Sequence, residues 1–409
     1  MKLLTVDTLD EARKKILDRA RVWKVPSERI KIEEAADRTL ADDMYSPCDI
    51  PGFDRATVDG YAVVASDTAG AGESIPVFLS LVGEVAMGEE TALCLQPGQC
   101  ASVPTGGMLP KGADAVVMLE YSEAFDERSI AVYEAAAPGT GMVHSGEDVK
   151  RGSLLLAQGT RLRAQELGVL AAAGISEAAV YRPFPVTVIS TGDELVAPNK
   201  EPGAGEVRDI NTIALCSLAR RSGYRVVKNM VLPDDDELLE TTVRRAMAES
   251  SVVAVSGGSS QGEKDATAAV FERIAKPGIL THGLALKPGK PTILAWDSET
   301  QTLLAGLPGH PVSAMMVFRL LLGWLAATLT GAKGEFPIPA RISCNIAASP
   351  GKTSCQPVAL RLDESGFIAE PVFGKSGMIS ALTRADGYII IAMNTEGLAK
   401  DEPVLVHLF

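Results

Sequence analysis

The chain has 409 residues, which suggests about two to four domains, and a formal net charge of −13. A field of that sign repels nucleic acid and anionic membranes, so any anionic ligand needs a locally basic pocket. Hydrophobic residues make up 46% and charged residues 22%, enough to build globular cores, while aromatics at 5% argue against base-stacking platforms.

The six cysteines (Cys48, Cys94, Cys100, Cys216, Cys344, Cys355) show neither CxxC nor zinc-finger spacing, and the N-terminus has no apolar signal core. Both features read as a reduced, cytoplasmic protein. Thr8 and Glu11 form a capping box, and Leu9, Ala12, Ile16 and Ala20 fall on one face, predicting an amphipathic helix over residues 8–22. Residues 35–40 read as a weak second element.

Pro47 and Pro51 hold an extended lead-in to a loop crowded with Asp54, Arg55, Thr57 and Asp59, ahead of a strand at 61–63. Such a loop is either a tied turn or a set of groups presented to a ligand. No partner for it is evident within its own β module. Short β runs at 76–81, 100–103, 115–119 and 130–133, separated by Gly- and Pro-rich loops, predict a small all-β module inserted into a flanking domain. Thr105 lies in one of those loops. Asp148 follows Ser145, Gly146 and Glu147, and a helix at 165–173 ends at Gly174.

Residues 177–331 alternate strand and helix, the pattern of a parallel sheet with crossover helices. The apolar, β-branched run 185–189 breaks at Ser190, Thr191 and Gly192 and delivers Asp193 and Glu194. Ligands of open α/β sheets bind beyond the carboxyl ends of strands. The two carboxylates suit a metal or a proton acceptor beside an anionic substrate; a solvated turn is the other reading. Asn211 is expected to cap a helix over 212–222, and a strand at 225–231 leads to Asp234. A buried run at 252–255 opens into Ser256, Gly257, Gly258, Ser259 and Ser260, with Asp265 before a helix at 266–274. Free N–H groups there make an anion site, or the loop is a plain βα turn.

Lys287 and Lys290 stand three apart on a loop braced by Pro288 and Pro291. Two cations held still in an acidic protein point to an anion; a solvated hairpin is the alternative. Pro308, Gly309, His310 and Pro311 lead to a helix from Ser313 to 330, again with free N–H groups at its start. That helix is apolar almost all round but carries Arg319 and no basic flanks, so it reads as a buried or dimer-interface helix rather than a membrane span. After a linker at 331–337, β runs at 340–344, 357–362, 387–392 and 403–408 predict a small barrel or sandwich.

Six motifs occur in one order: residues 53–63, 105–117, 190–195, 256–265, 287–291 and 306–313. Together they resemble the MoeA family of molybdopterin molybdenumtransferases, related to the C-terminal domain of gephyrin. The resemblance implies an elongated, multidomain α/β protein. Its central parallel-sheet domain would be similar to molybdopterin adenylyltransferases, with an inserted β module and a C-terminal β barrel. The expected domains are 1–45 with 140–176 (linker and dimerisation), 46–139 (inserted), 177–331 (molybdopterin-binding) and 338–409 (barrel). The implied activity is the last step of molybdenum cofactor synthesis: molybdate enters adenylylated molybdopterin, with AMP released with Mg²⁺ or another divalent cation. Tungstate in place of molybdate and a non-catalytic scaffold are the alternatives.

The resemblance also implies roles. Asp193, Glu194, Asp234 and Asp265 would be catalytic and, with Asp148, hold the metal. Ser256, Gly257, Gly258 and Ser260 would hold the pterin–AMP end. Lys287, Lys290, Pro291, Pro308 and Ser313 would hold molybdate, with Ser376 offered from the C-terminal domain and Asp59 and Thr105 reaching the site from a partner subunit or an interdomain cleft. A homodimer, and contact with the adenylyltransferase, are implied; nucleic acid and membrane are not. His310 departs from the Asn of many relatives, and His282 and Gly283 from a Trp-Lys pair, for which nearby Lys264 would compensate. The segment 351–357 lacks the arginines common there, leaving Lys352 or Arg361 to substitute.

Overall fold

Thr8 does cap a helix: its side chain accepts from Glu11 N–H while Glu11 Oε2 accepts from Thr8 N–H at 2.8 Å. The computed structural model describes residues 6–257, 266–334 and 336–409. The chain divides into two compact units: Met1–Glu28, Gly159–Arg161 and Val180–Phe409 form one, Arg29–Gln158 and Leu162–Ala179 the other.

The second unit is built on a six-stranded sheet, in spatial order Ala115–Met118, Gly60–Val63, Gln99–Val103, Val77–Glu84, Ser129–Val132, Ser122–Asp126. Strand periodicity places Ala62, Ala101 and Val116 in one core and Val63, Cys100, Ala115 and Val117 in another, one on each face. The edge strand Ser122–Asp126 has an almost wholly exposed pattern, so it carries no alternation to read. In 35–40, which follow a short 3₁₀ segment at Ile32–Glu34, residues 36–37 turn and Thr39 and Leu40 make only β-bridges.

In the first unit the elements that matter are helix α1 (Leu9–Ala20), strand β1 (Phe184–Thr191), α2 (Asn211–Arg221), β2 (Tyr224–Leu232), α3 (Asp236–Met247), β3 (Val252–Ser256), α4 (Ala266–Ile274), β4 (Pro277–His282), β5 (Ile293–Asp297), β6 (Thr302–Leu307) and α5 (Pro311–Thr330). The sheet order is β2-β1-β3-β6-β5-β4. It is parallel through β2, β1, β3 and β6, while β5 runs the opposite way and pairs antiparallel with both β6 and the edge strand β4. Both faces are covered. Val186, Val188, Val252, Ala254, Leu303 and Ala305 pack with α1, α2 and α5, whereas Ile189, Val253, Val255 and Leu304 pack with α3 and α4. Burial on both faces explains why these strands read as continuous apolar runs.

Helix α5 is long and apolar enough to cross a membrane by composition, but its buried residues belong to the core shared with α1 and α2. Its middle, Phe318–Gly323, widens to π-helix. Carbonyls there bond outward: Leu320 O accepts from Arg13 Nε at 3.0 Å, and Leu322 O from Tyr224 O–H at 2.7 Å.

The C-terminal region closes into a five-stranded barrel from β7 (Ile338–Ile342), β8 (Thr353–Asp363), β9 (Gly366–Pro371), β10 (Gly387–Ile391) and β11 (Pro403–Leu408). The order runs β8-β9-β7-β11-β10, and β10 pairs back onto β8. Closure leaves no free edge around an interior of Ile342, Val358, Ala369, Ile389 and Val406.

Candidate active site

Register sets the site. Ser190 of β1 pairs with Ser256 of β3, and Ser256 with Leu307 of β6. Three neighbouring parallel strands therefore end at one level, at the carboxyl edge where ligands of such sheets bind. Strand β1 runs two residues past the expected break, through Ser190 and Thr191. Gly257 comes so close to that turn that a Cβ would lie 2.3 Å from Thr191 O, and its φ of +120° belongs to glycine.

A cleft of about 1250 Å³ spans this carboxyl edge and one side of the barrel. Its walls include Glu194, Asp234, Ser256, Gly257, Lys287, Lys290, Pro291, Pro308, Ser313 and Ser376. Asp193 joins the acidic end through Oδ1, which accepts from Asp234 N–H at 3.0 Å. Burial, then the charges of Asp193 and Glu194, raise the Asp234 carboxyl above its ordinary value. Among the described residues no three His, Cys, Asp or Glu side chains are drawn together as a metal site. Gly258, Ser259, Ser260, Lys264 and Asp265 lie outside the described residues.

The basic end is fixed from the barrel. Leu286 and Lys287 pair in parallel with Thr353 and Ser354 of β8, so the long loop of the β4–β5 hairpin that carries both lysines is held against the barrel. Lys287 Nζ donates to Ser349 Oγ at 2.8 Å. Lys290 O accepts from Leu284 and Thr292 N–H, each at 2.9 Å, which pins the loop backbone. Both ammonium groups stay exposed. Ser313 is buried within the first turn of α5, and Ser376 from the barrel meets that turn twice. Its Oγ is 2.8 Å from His310 Nδ1, and its carbonyl accepts from Val312 N–H at 3.2 Å.

Several expectations change. Asn211 is not a cap but the first residue of α2; Asp209 Oδ1 takes the Thr212 N–H instead, at 3.1 Å. The Asn211 amide bonds Ser256 Oγ and Gly309 O. Ser256 is buried, and its hydroxyl is engaged by Asn211 and Pro308 O. Arg361 does not substitute for the missing arginines, because it pairs with Glu370 at 2.8 Å; Lys352 does line the cleft, as does the unforeseen Lys375. Thr191 Oγ1 and Ser354 Oγ are buried at the cleft wall without a protein partner.

Asp59, Thr105 and Asp148 belong to the other unit. Asp59 Oδ1 accepts from Thr105 N–H at 2.7 Å and from its hydroxyl at 3.0 Å, and these bonds hold the Asp59 carboxyl below its usual range. Asp54 Oδ1 accepts from Ser145 N–H at 2.7 Å. The polar loop 54–59 thus does have partners within its own unit. Asp148 is exposed on a turn, its N–H bonded to Ile50 O at 3.1 Å.

Family models match in series: the MoeA N-terminal region (domains I and II) over 7–174, a probable molybdopterin-binding domain over 187–327, and the MoeA C-terminal region (domain IV) over 339–409. A molybdopterin molybdenumtransferase of Haemophilus influenzae is 32% identical over 408 residues, covering 98% of each chain. The chain belongs to the MoeA family. A Bacillus subtilis molybdopterin molybdenumtransferase is 28% identical, covering 93% of this chain and 90% of its own. The crystal structure of a molybdopterin biosynthesis MoeA protein from Pyrococcus horikoshii OT3 superposes with a TM-score of 0.84 at 31% identity, covering 99% of this chain and all of that one. The MoeA fold thus accounts for the sheet, the barrel and the cleft they share.

Proposed function

We infer that this cleft is where the chain acts as a molybdopterin molybdenumtransferase in molybdenum cofactor biosynthesis. The observation that carries the reading is one cavity with an acidic end at Glu194 and Asp234 and a basic end at Lys287 and Lys290. A doubly anionic tetrahedral oxyanion suits the lysines, with Lys352 and Lys375 adding charge and the Ser313 N–H adding a donor from the first turn of α5. The pterin–nucleotide substrate occupies the crevice beyond β1 and β3. The Ser256 hydroxyl, already engaged by Asn211 and Pro308, shapes this crevice rather than binding the substrate. Ser376 and His310, bonded together, close the barrel side over the oxyanion.

The acidic end fits a divalent cation. Its donors are hard carboxylate oxygens, and the Asp234 carboxyl, raised by burial first and by the charges of Asp193 and Glu194 second, is a group whose charged form a cation favours. Glu194 and Asp234, the two carboxylates that line the cleft, would hold Mg²⁺, with Asp193 and Asp265 as further proposed ligands. Bound there, the ion lowers the charge of the pyrophosphate to be hydrolysed. Glu194 and Asp234 also offer oxygens that accept the proton of attacking water.

A homodimer in which the Asp59 loop of one subunit serves the cleft of the other is our reading of assembly. The free state of all six cysteines supports a cytoplasmic setting. The test is incubation with adenylylated molybdopterin, Mg²⁺ and molybdate or tungstate, following AMP: release that depends on the oxyanion supports the reading, and none with either oxyanion refutes it.

A further inference from the structure

Asn211 opens α2 at the cleft wall, half-buried. Its Nδ2 donates to Gly309 O at 2.7 Å and to Ser256 Oγ at 2.8 Å. A carbonyl oxygen only accepts, so the nitrogen must face Gly309 and the amide has one orientation. The Ser256 hydroxyl, having accepted from Asn211, directs its own proton to Pro308 O at 3.2 Å. One carboxamide therefore ties the end of β3 to the turn ahead of α5, across 45 and 98 residues of sequence. These are the two segments assigned above to the pterin–nucleotide and to the oxyanion.

We propose that Asn211 is a positioning residue that sets the distance between those two segments, so that both substrates meet in register. The inference rests on the proposed function of the cleft. The helix that carries Asn211 is anchored separately: Leu215, Cys216 and Ala219 are buried in the core below it. Removing the amide therefore loosens the two loops without unseating α2. Asp at this position is worse than Ala, since a carboxylate faces Gly309 O, repels it, and draws the Ser256 proton away from Pro308.

The test compares Asn211→Ala, Asn211→Asp, Ser256→Ala and the Asn211→Ala/Ser256→Ala pair in molybdate-dependent AMP release. Losing two hydrogen bonds of ordinary strength should lower kcat by about tenfold or more in Asn211→Ala, and raise the molybdate half-saturation with it. Asn211→Asp should fall further. The double variant should be within about twofold of Asn211→Ala, because the two residues act as one unit. Wild-type kcat and half-saturation in Asn211→Ala overturn the proposal, as do additive losses. Amide exchange of segments holding Gly257 and Val312 is read in parallel. Faster exchange at both in Asn211→Ala supports the brace, and unchanged exchange overturns it. Should wild-type protein release no AMP, the proposed function fails, and exchange alone decides the brace.

Discussion

The backbone N–H of Asp234 donates to Asp193 Oδ1 at 3.0 Å, joining the turn after β1 to the turn after β2. This brings negative charge together: the Asp234 carboxyl is raised by burial and by Asp193 and Glu194. A carboxyl raised in the folded state adds stability below its unfolded value of about 3.9 and loses that contribution as pH rises through the folded value. Asp234→Asn should therefore raise Tm at pH 7 in chelator and lose that advantage near pH 3. Mg²⁺ should raise Tm more for wild type than for the variant. Thermal scans against pH check this; a variant less stable than wild type at pH 7 contradicts it.

Gly257 tests the crevice. Alanine there meets Thr191 O at 2.3 Å and must adopt a φ of +120°. The backbone strain alone costs about 1–3 kcal/mol. Gly257→Ala should lower the urea midpoint and abolish AMP release, while Gly351→Ala, with open space around it at a φ of +72°, should retain activity despite its own strain. Equal activity loss in both would count against a crevice-specific role.

The Ser376–His310 bond tests the barrel's part in the site. Ser376→Ala should raise the molybdate half-saturation severalfold, with little change in Tm because the residue is not in the core. Steady-state titration of molybdate reads the effect. An unchanged half-saturation would remove the barrel loop from the oxyanion site.

Assembly is tested by sedimentation. A dimer at micromolar protein is expected, and a monomer with full activity would contradict the shared site.

Local signals were legible where chemistry is local. The capping box at Thr8, the apolar run of β1 and the C-terminal end of α4 at Ile274 all follow from adjacent residues. The lysine loop was legible as two cations, but not as a loop pinned to the barrel, because its partners Ser349, Thr353 and Ser354 lie more than 60 residues on. Asn211 looked like a cap because Asn commonly caps; its bonds reach strands whose proximity only the fold creates. Arg361 and Lys352 carry the same charge, but Lys352 stands just ahead of β8 at the cleft, whereas Arg361 lies near the other end of that strand and pairs with Glu370 of β9. The closed barrel needed β9, and the antiparallel edge needed the direction of β5, neither of which periodicity encodes.

The most direct measurement is AMP release against molybdate concentration, compared between wild type and Lys287→Ala/Lys290→Ala, with molybdenum incorporation counted in the same samples. Each charge-assisted hydrogen bond to an oxyanion is worth roughly 1.5–3 kcal/mol, so each lysine lost should raise the half-saturation by about tenfold or more. One AMP per molybdenum inserted is expected in wild type. AMP release indifferent to molybdate, or a double variant with wild-type half-saturation, would contradict the assignment of this cleft.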